Sequence, residues 1–132
     1  EISLGDTIGT GTPGQTAQLL STLLKTIPAS KLAVHFHDTY GQALANILVA
    51  LQHGISVIDS AAGGLGGCPY AAGASGNVAT EDVVYMLNGM GIDCGVDINA
   101  LVAASTQIFE HLNREPASRS MRALMAKLHN VI

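Results

Sequence analysis

The sequence predicts an α/β fold built from parallel βα units, and two observations support this prediction. Short apolar runs typical of strands alternate with longer runs in which apolar residues recur at helical spacing. The order along the chain is strand, helix, strand, helix, strand, long glycine-rich loop, helix. Because helical connections of this length join parallel neighbouring strands, we expect right-handed βαβ units.

The elements follow from local signals. The predicted strands comprise residues 2–4, 31–36 and 55–58, each bounded by polar or turn residues. Four helices are predicted: residues 13–27, residues 40–53, a third capped by Thr80 and a fourth capped by Asp97 that ends near His111. The first carries Thr12 at its cap and Pro13 at its first position, and Pro28 ends it. The pattern leaves the packing of the C-terminal tail, residues 114–132, open.

The number of strands bears on the architecture. A closed (β/α) barrel has eight strands and roughly 250 residues, whereas this chain has 132 residues. We therefore expect the last three βα units of a (β/α)8 TIM barrel plus C-terminal helices, incomplete as a barrel on its own. A small doubly wound domain is the alternative, although it usually has about five strands. Since Glu1 is not a start methionine, we expect a piece of a longer protein or a processed N-terminus.

Composition excludes several classes of function. Charged residues make up 12% of the chain and apolar residues 48%, which is unlike a disordered protein. The net charge is −4 without a Lys/Arg cluster, so we expect no nucleic-acid and no membrane partner. Apolar runs are too short to span a bilayer. Two cysteines, Cys68 and Cys94, are too few for a disulfide framework, and we expect an intracellular location.

Polar side chains end all three predicted strands: Asp6, the pair His35 and His37, and Asp59. Active sites of barrels and open parallel sheets lie at this edge. Because strand side chains alternate between faces, His35 and His37 share one face and are spaced to hold one metal ion. The alternative, buried histidines that are hydrogen-bonded without a ligand role, is about equally plausible from the residues alone.

The loop from Asp59 to Gly76 has six glycines among eighteen residues and contains Cys68. Such a segment lets backbone approach a substrate closely. Cys68 is interpreted as a nucleophile, a proton donor or a small apolar residue, with the inert interpretation favoured by composition. The segment from Gly9 to Gly14 matches G-x-G-x-x-G but lacks the acidic residue expected about twenty positions later, so we interpret it as a tight turn plus helix cap.

Five motifs together extend over most of the chain: Ser3-Leu4-Gly5-Asp6-Thr7-Ile8-Gly9, His35-Phe36-His37-Asp38-Thr39-Tyr40-Gly41-Gln42-Ala43, Ala62-Gly63-Gly64-Leu65-Gly66-Gly67-Cys68-Pro69-Tyr70, Gly73-Ala74-Ser75-Gly76-Asn77 and Ala79-Thr80-Glu81-Asp82. With these motifs the sequence resembles the hydroxymethylglutaryl-CoA lyase family. The cysteine loop is specific to these lyases, whereas His-x-His also fits related aldolases and isopropylmalate or homocitrate synthases.

The resemblance implies a barrel that cleaves the acyl-CoA substrate 3-hydroxy-3-methylglutaryl-CoA to acetoacetate and acetyl-CoA with Mg2+ or Mn2+. By motif position it implies that the metal ligands are His35, His37 and Asn77. It also implies that Cys68 and Asp6 are catalytic residues and that Glu81 is a supporting residue. It further implies one partial lyase-like domain over residues 1–132, with residues 59–76 as the catalytic loop.

The family's first strands carry an arginine, a metal-binding aspartate and a glutamate that have no counterpart here. We therefore expect little or no activity from this chain in isolation. Unpaired sheet edges predict a homo-oligomer or an N-terminal barrel half as partner. The location expected is the cytoplasm in a bacterium and the mitochondrial matrix in a eukaryote. The alternative functions are a related metal-dependent aldolase or acyl-CoA Claisen enzyme, and a non-catalytic βα module that oligomerises.

Overall fold

The computed structural model describes residues 1–67 and 76–129. The chain divides into two compact units. The first comprises Glu1–Ser60 and Gly66–Asn77, and the second comprises Ala61–Leu65 and Val78–Ile132. No helix within the described ranges has the length and apolar content needed to cross a membrane.

The sheet of the first unit consists of three parallel strands in the order β1-β2-β3. The strands are β1 (Ile2–Asp6), β2 (Leu32–Phe36) and β3 (Val57–Asp59). Their register aligns Gly5, His35 and Asp59 in one row across the sheet. The predicted parallel βα architecture is confirmed, with three units where a closed barrel has eight.

Two helices connect these strands: α1 (Pro13–Leu23) and α2 (Ala43–Gln52). Helix α2 packs on β2, and α1 packs on α2. Because side chains alternate along β2, Leu32 and Val34 lie on the face opposite His35. Apolar residues of this unit that are at most 1% exposed form its core: Leu20, Leu32, Ala33, Val34, Ala43, Ile47, Ala50 and Ile55.

The second unit contains three helices that pack on one another: α3 (Thr80–Gly89), α4 (Ile98–Leu112) and α5 (Arg119–His129). Val102, Phe109 and Met121 form a buried apolar cluster between α4 and α5. The C-terminal segment, whose packing the sequence pattern left open, is fixed by Asp82 of α3. Its carboxylate accepts hydrogen bonds from the Ser118 hydroxyl (2.9 Å) and from the Ser120 backbone N–H (2.7 Å) at the start of α5.

The third strand and the second helix both begin later than predicted. The strand begins at Val57 rather than at residue 55, because the Ile55 N–H donates to the Ala50 carbonyl at the end of α2 (3.1 Å). Helix α2 begins at Ala43 rather than at residue 40: Gln42 is its N-cap, and the Asp38 carboxylate, from the loop before it, accepts the N–H of Ala43 (2.9 Å).

The predicted caps of the remaining helices had different outcomes. The first helix begins as predicted, with Pro13 at its start, but it ends at Leu23 rather than at residue 27. The predicted cap at Thr80 is wrong, since Ala79 is the N-cap and Thr80 is the first helical residue. The predicted cap at Asp97 is confirmed, because its carboxylate accepts the N–H groups of Asn99 (2.8 Å) and Ala100 (3.0 Å).

Candidate active site

His35 lies near the carboxyl end of β2, directly opposite Asp59 of β3 in the register of the sheet. Its Nδ1 is 3.5 Å from Oδ2 of Asp59 on the neighbouring strand, and the Ser3 hydroxyl donates to the same oxygen (3.1 Å). The His35 and Asp59 side chains are 43% and 47% exposed. This face of the sheet is therefore polar and accessible, unlike the apolar face under the helices. A carboxylate beside one imidazole nitrogen fixes the ring orientation and directs the other nitrogen outward.

His37 lies just beyond the end of β2, and its ring is close to that of His35. The two ring centroids are 5.4 Å apart and the rings are tilted by 52°. His37 is 8% exposed, and its Nδ1 atom is buried without a hydrogen-bond partner among the described residues. A buried polar atom of this kind costs free energy of about 1–3 kcal/mol when nothing satisfies it. The two imidazoles thus form a pair in which one ring is oriented by Asp59 and the other has an open nitrogen.

Asn77 is brought to the same place by backbone pairing, although it follows His37 by forty positions in the sequence. His37 and Asn77 form an isolated antiparallel bridge. One residue earlier, the Gly76 carbonyl accepts the Asp38 N–H (2.8 Å). The segment that follows the glycine-rich loop is therefore attached to the end of β2, and Asn77 lies beside the histidine pair.

The chemistry of these side chains fits a divalent cation. Two imidazoles and one amide oxygen are ligand types found in such sites, and they leave further positions for substrate and water. In the part of the chain that the structure describes, no group of three or more His, Cys, Asp and Glu residues is arranged to hold a metal ion. A cation site at this edge would need the Asn77 amide as its third protein donor, beside the Nδ1 atom of His37, which has no partner among the described residues.

Asp6 is not brought together with the histidine pair by its side chain. In the register of the sheet Asp6 pairs with Phe36, which places it on the face opposite His35. Its carboxylate accepts three backbone N–H groups of the following loop: Gly9 (3.1 Å), Thr10 (3.2 Å) and Gly11 (2.8 Å). The loop that matches G-x-G-x-x-G is thus closed around a carboxylate of the protein itself, as a turn that leads into the cap of α1.

Glu81 lies in the second unit and is completely buried. Its carboxylate accepts hydrogen bonds from the Gly63 N–H (2.7 Å) and from the Ser105 hydroxyl. Gly63 adopts a positive φ of 58°, and a Cβ there would overlap the Phe109 ring. Glu81 therefore holds the first part of the glycine-rich loop in a conformation that only glycine adopts without strain.

The predicted catalytic Cys68 lies outside the described residues. The other cysteine, Cys94, is free and exposed. It precedes Gly95, whose N–H donates to the Asp93 carboxylate (2.8 Å) in a local turn. These contacts give Cys94 no chemical role.

Three features of the site were missed by sequence reasoning: the contacts of Asp59 with Ser3 and His35, the bond from Asp38 to the start of α2, and the close approach of Asn77 Nδ2 to Gly66. The first requires the strand register, because Ser3 and Asp59 are 56 positions apart. The second lacks the usual sequence signal, because Asp38 lies five positions before Ala43 rather than directly before the helix. The third joins residues across a loop and has no local signal.

Comparison with known proteins decides the family. A family model described as HMGL-like matches residues 1–108. This chain belongs to the HMGL-like family. Proteins of this family are metal-dependent in general, which agrees with the donor set at the end of β2.

Individual relatives agree with this assignment. The chain is 62% identical over 128 residues to the mitochondrial hydroxymethylglutaryl-CoA lyase of Arabidopsis thaliana, an alignment that covers 97% of this chain and 27% of that protein. The crystal structure of hydroxymethylglutaryl-CoA lyase from Pseudomonas aeruginosa matches with a TM-score of 0.93 at 57% identity, covering 96% of this chain and 42% of the other.

A third relative adds a bound ligand. An HMG-CoA lyase from Acinetobacter baumannii, solved in complex with coenzyme A and 3-methylmalate, matches with a TM-score of 0.86 at 41% identity, covering 92% of this chain and 40% of that one. The chain thus spans about a quarter to two fifths of the length of these relatives. Its three βα units and helices have the fold of part of a lyase barrel.

Proposed function

We propose that this chain forms part of the active site of a lyase that cleaves 3-hydroxy-3-methylglutaryl-CoA to acetoacetate and acetyl-CoA. The observation that carries the proposal is the pair of imidazoles, 5.4 Å apart, beside the bridge between His37 and Asn77. Identities of 57–62% to proteins named as this lyase support the choice of substrate. The A. baumannii relative, which holds coenzyme A, supports an acyl-CoA ligand.

We propose that His35, His37 and Asn77 hold a divalent cation, Mg2+ or Mn2+. When bound, such an ion lowers the pKa of a coordinated hydroxyl and orients the substrate. His35 is held in one orientation by Asp59, and His37 contributes a buried ring with an open nitrogen. A carboxylate beside one nitrogen of a metal-binding imidazole favours one tautomer and one ring direction.

The cleavage requires that one proton leave and one proton arrive. A base removes the proton of the tertiary hydroxyl, the carbon–carbon bond breaks, and the resulting thioester enolate takes up a proton at carbon. We propose Cys68 as the donor of that second proton. We propose Asp6 as an active-site carboxylate. It also shapes the loop of residues 9–11, because its carboxylate accepts three backbone N–H groups there.

We propose Glu81 as a supporting residue, because its buried carboxylate fixes Gly63 in the glycine-rich segment of residues 59–76. Residues 1–132 form one partial lyase-like domain in this proposal, and residues 114–132, which include α5, are its C-terminal tail. The alternatives of an aldolase, a Claisen enzyme or a non-catalytic module have no comparable observation in their favour.

We propose that the chain has little or no activity alone. Among the described residues β1 and β3 are the edges of the sheet, and a second copy or an N-terminal barrel half would cover them. Neither a nucleic acid nor a membrane is proposed as partner. Relatives named as mitochondrial and as cytoplasmic support an intracellular location, either in the cytoplasm or in the mitochondrial matrix.

A chimera tests the proposal directly. The matching 42% of the P. aeruginosa lyase is replaced by this chain, and acetoacetate formation from 3-hydroxy-3-methylglutaryl-CoA is measured with added Mg2+. We expect turnover by the chimera and none by the 132-residue chain alone. Cys68→Ser is expected to lower turnover by about 10²- to 10⁴-fold, as loss of a proton donor does, and Cys94→Ser is the matched control. A folded chimera that binds Mn2+ but cleaves only another acyl-CoA would contradict the proposed substrate.

A further inference from the structure

The two ends of the glycine-rich loop meet at a narrow point, formed by Gly66, Gly67 and Gly76. A Cβ on Gly76 would lie 2.8 Å from the Gly66 carbonyl oxygen and 3.2 Å from the carbonyl carbons of Gly66 and Gly67. Gly76 also has a positive φ of 79°. Only glycine permits this approach of two backbones, which we call the loop neck.

The loop neck is fastened to the end of β2. The Gly76 carbonyl accepts the Asp38 N–H (2.8 Å), and the next residue, Asn77, bridges to His37. The backbone of Asn77 is therefore fixed with respect to the histidine pair. What this backbone leaves undetermined is the direction of the Asn77 side-chain amide.

That direction is limited by Gly66. A Cβ on Gly66 would lie 2.7 Å from Nδ2 of Asn77, closer than real Cβ contacts come. The neighbouring Gly67 has no described residue within 4 Å of the corresponding point. The Asn77 amide thus occupies the space that any side chain at position 66 would need.

We propose that Gly66 is a positioning residue of the cation site: the absence of a side chain at position 66 lets the Asn77 amide stand where its oxygen joins His35 and His37 as a ligand. This inference rests on the proposed function, because it concerns the same site. The buried Nδ1 of His37 without a partner among the described residues is the independent indication that a ligand belongs beside Asn77.

The structure also indicates how a substitution at Gly66 would act. The obstructing atom is the end of the Asn77 side chain, so an alanine at position 66 is accommodated by turning the amide away. At Gly76 the obstructing atoms are backbone, which does not move without opening the loop neck. Gly66→Ala therefore displaces a ligand while the loop neck stays closed. Because Gly66 has a positive φ of 103°, the test includes a control for backbone strain.

The experiment measures Mn2+ affinity of the 132-residue chain by the electron paramagnetic resonance signal of the free ion. Loss of an oriented ligand environment lowers metal affinity about 10- to 100-fold, and we expect a loss of this size in Gly66→Ala. One matched variant should bind as the unsubstituted chain does. Gly41→Ala adds a methyl group at a positive φ (69°) with no described residue within 4 Å.

A double variant shows whether the effect passes through the amide. In an Asn77→Ala background, Gly66→Ala should change the affinity less than about twofold, because the displaced group is already absent. In this double variant Nδ2 of Asn77 is absent, so the alanine at position 66 meets no obstruction from that side chain and the protein can be compared with Asn77→Ala alone. Equal affinity in Gly66→Ala and the unsubstituted chain, or an undiminished loss in the Asn77→Ala background, would overturn the inference alone. Failure of the unsubstituted chain to bind Mn2+ would overturn the proposed metal site as well.

Discussion

Two glycine-rich segments follow strands in this protein, and their polar groups are used differently. In the loop after β1, the Asp6 carboxylate is saturated by three backbone N–H groups of residues 9–11. In the segment that ends at Asn77, backbone contacts hold the chain in place, and the neighbouring His37 keeps a buried nitrogen without a partner among the described residues.

A polar group whose hydrogen bonds are all made within its own loop stabilises the fold, whereas one without a partner can bind a ligand. Buried polar atoms are nearly always hydrogen-bonded, so an exception indicates a ligand or a functional constraint. The Asp6 carboxylate accepts only backbone N–H groups of its own loop, so it closes a structural turn, although the G-x-G-x-x-G pattern is typical of phosphate sites. Oδ1 of Asn46 and Oγ1 of Thr39, which lie beside this loop, also lack a partner among the described residues, so the orphan nitrogen of His37 does not by itself distinguish the two segments. The edge formed by His35, His37 and Asn77 is the better candidate for a cation site because two imidazole ring centroids lie 5.4 Å apart there.

The largest expected loss of Mn2+ affinity follows from removing the His37 ring, whose Nδ1 has no partner among the described residues. His37→Ala in the 132-residue chain should weaken Mn2+ binding at least about 100-fold, since loss of a direct ligand exceeds the 10- to 100-fold effect of outer residues. His111→Ala, which removes an exposed imidazole at the end of α4, is the control and should bind normally. Equal Mn2+ affinity of His37→Ala and His111→Ala would show that the segment ending at Asn77 holds no cation site involving His37.

The next effect concerns Glu81, which anchors the start of the second segment. Glu81→Gln places an amide where two donors point, and we expect the free energy of unfolding to fall by about 2–3 kcal/mol. Urea denaturation followed by circular dichroism measures this change. Glu110→Gln on the exposed face of α4 should change stability by less than about 0.5 kcal/mol. An unchanged free energy of unfolding would show that the single amide oxygen of Gln holds Gly63 as well as the carboxylate does.

A substitution at Asp6 tests whether its carboxylate stabilises the loop after β1. Asp6→Asn keeps the shape of the side chain but replaces one acceptor oxygen by a donor, so it should lower the free energy of unfolding by about 1–2 kcal/mol. Mn2+ affinity should stay within about twofold of normal, because the carboxylate lies on the other face of the sheet. If stability were unchanged while turnover of the chimera disappeared, Asp6 would act in catalysis rather than in closing the loop.

The smallest expected change in stability comes from Gly14, which follows the loop of residues 9–11 as the second residue of α1. Its φ is not positive, and no described residue lies within 4 Å of the point that a Cβ atom would occupy there. Gly14→Ala should therefore raise the free energy of unfolding by about 0.5–1 kcal/mol through helix propensity. Thermal unfolding measures the gain, and a loss of stability would show that the turn after Asp6 requires freedom beyond residues 9–11.

Much of the fold could be predicted from the sequence because local periodicity determines it. The alternation of apolar and polar residues along β2 is enough to put Leu32 and Val34 on one face and His35 on the other. Asp97 was recognisable as a helix cap for the same local reason. The start of α2 was not, because the Asp38 carboxylate that accepts the Ala43 N–H lies five residues before it.

The sequence by itself determined the parallel βα order, the shared face of His35 and His37, and the helix signals, since these depend on neighbours within a few residues. Only the tertiary structure decided that Asp6 closes its own loop, that Asp59 orients His35, and that Asn77 returns to the end of β2. The contacts of Asp59 and Asn77 join residues 24 and 40 positions apart through strand register and backbone pairing, whereas the Asp6 carboxylate bonds to residues only three to five positions away. A one-residue change in register would reverse the face of every side chain in a strand, so no local pattern can specify such pairs.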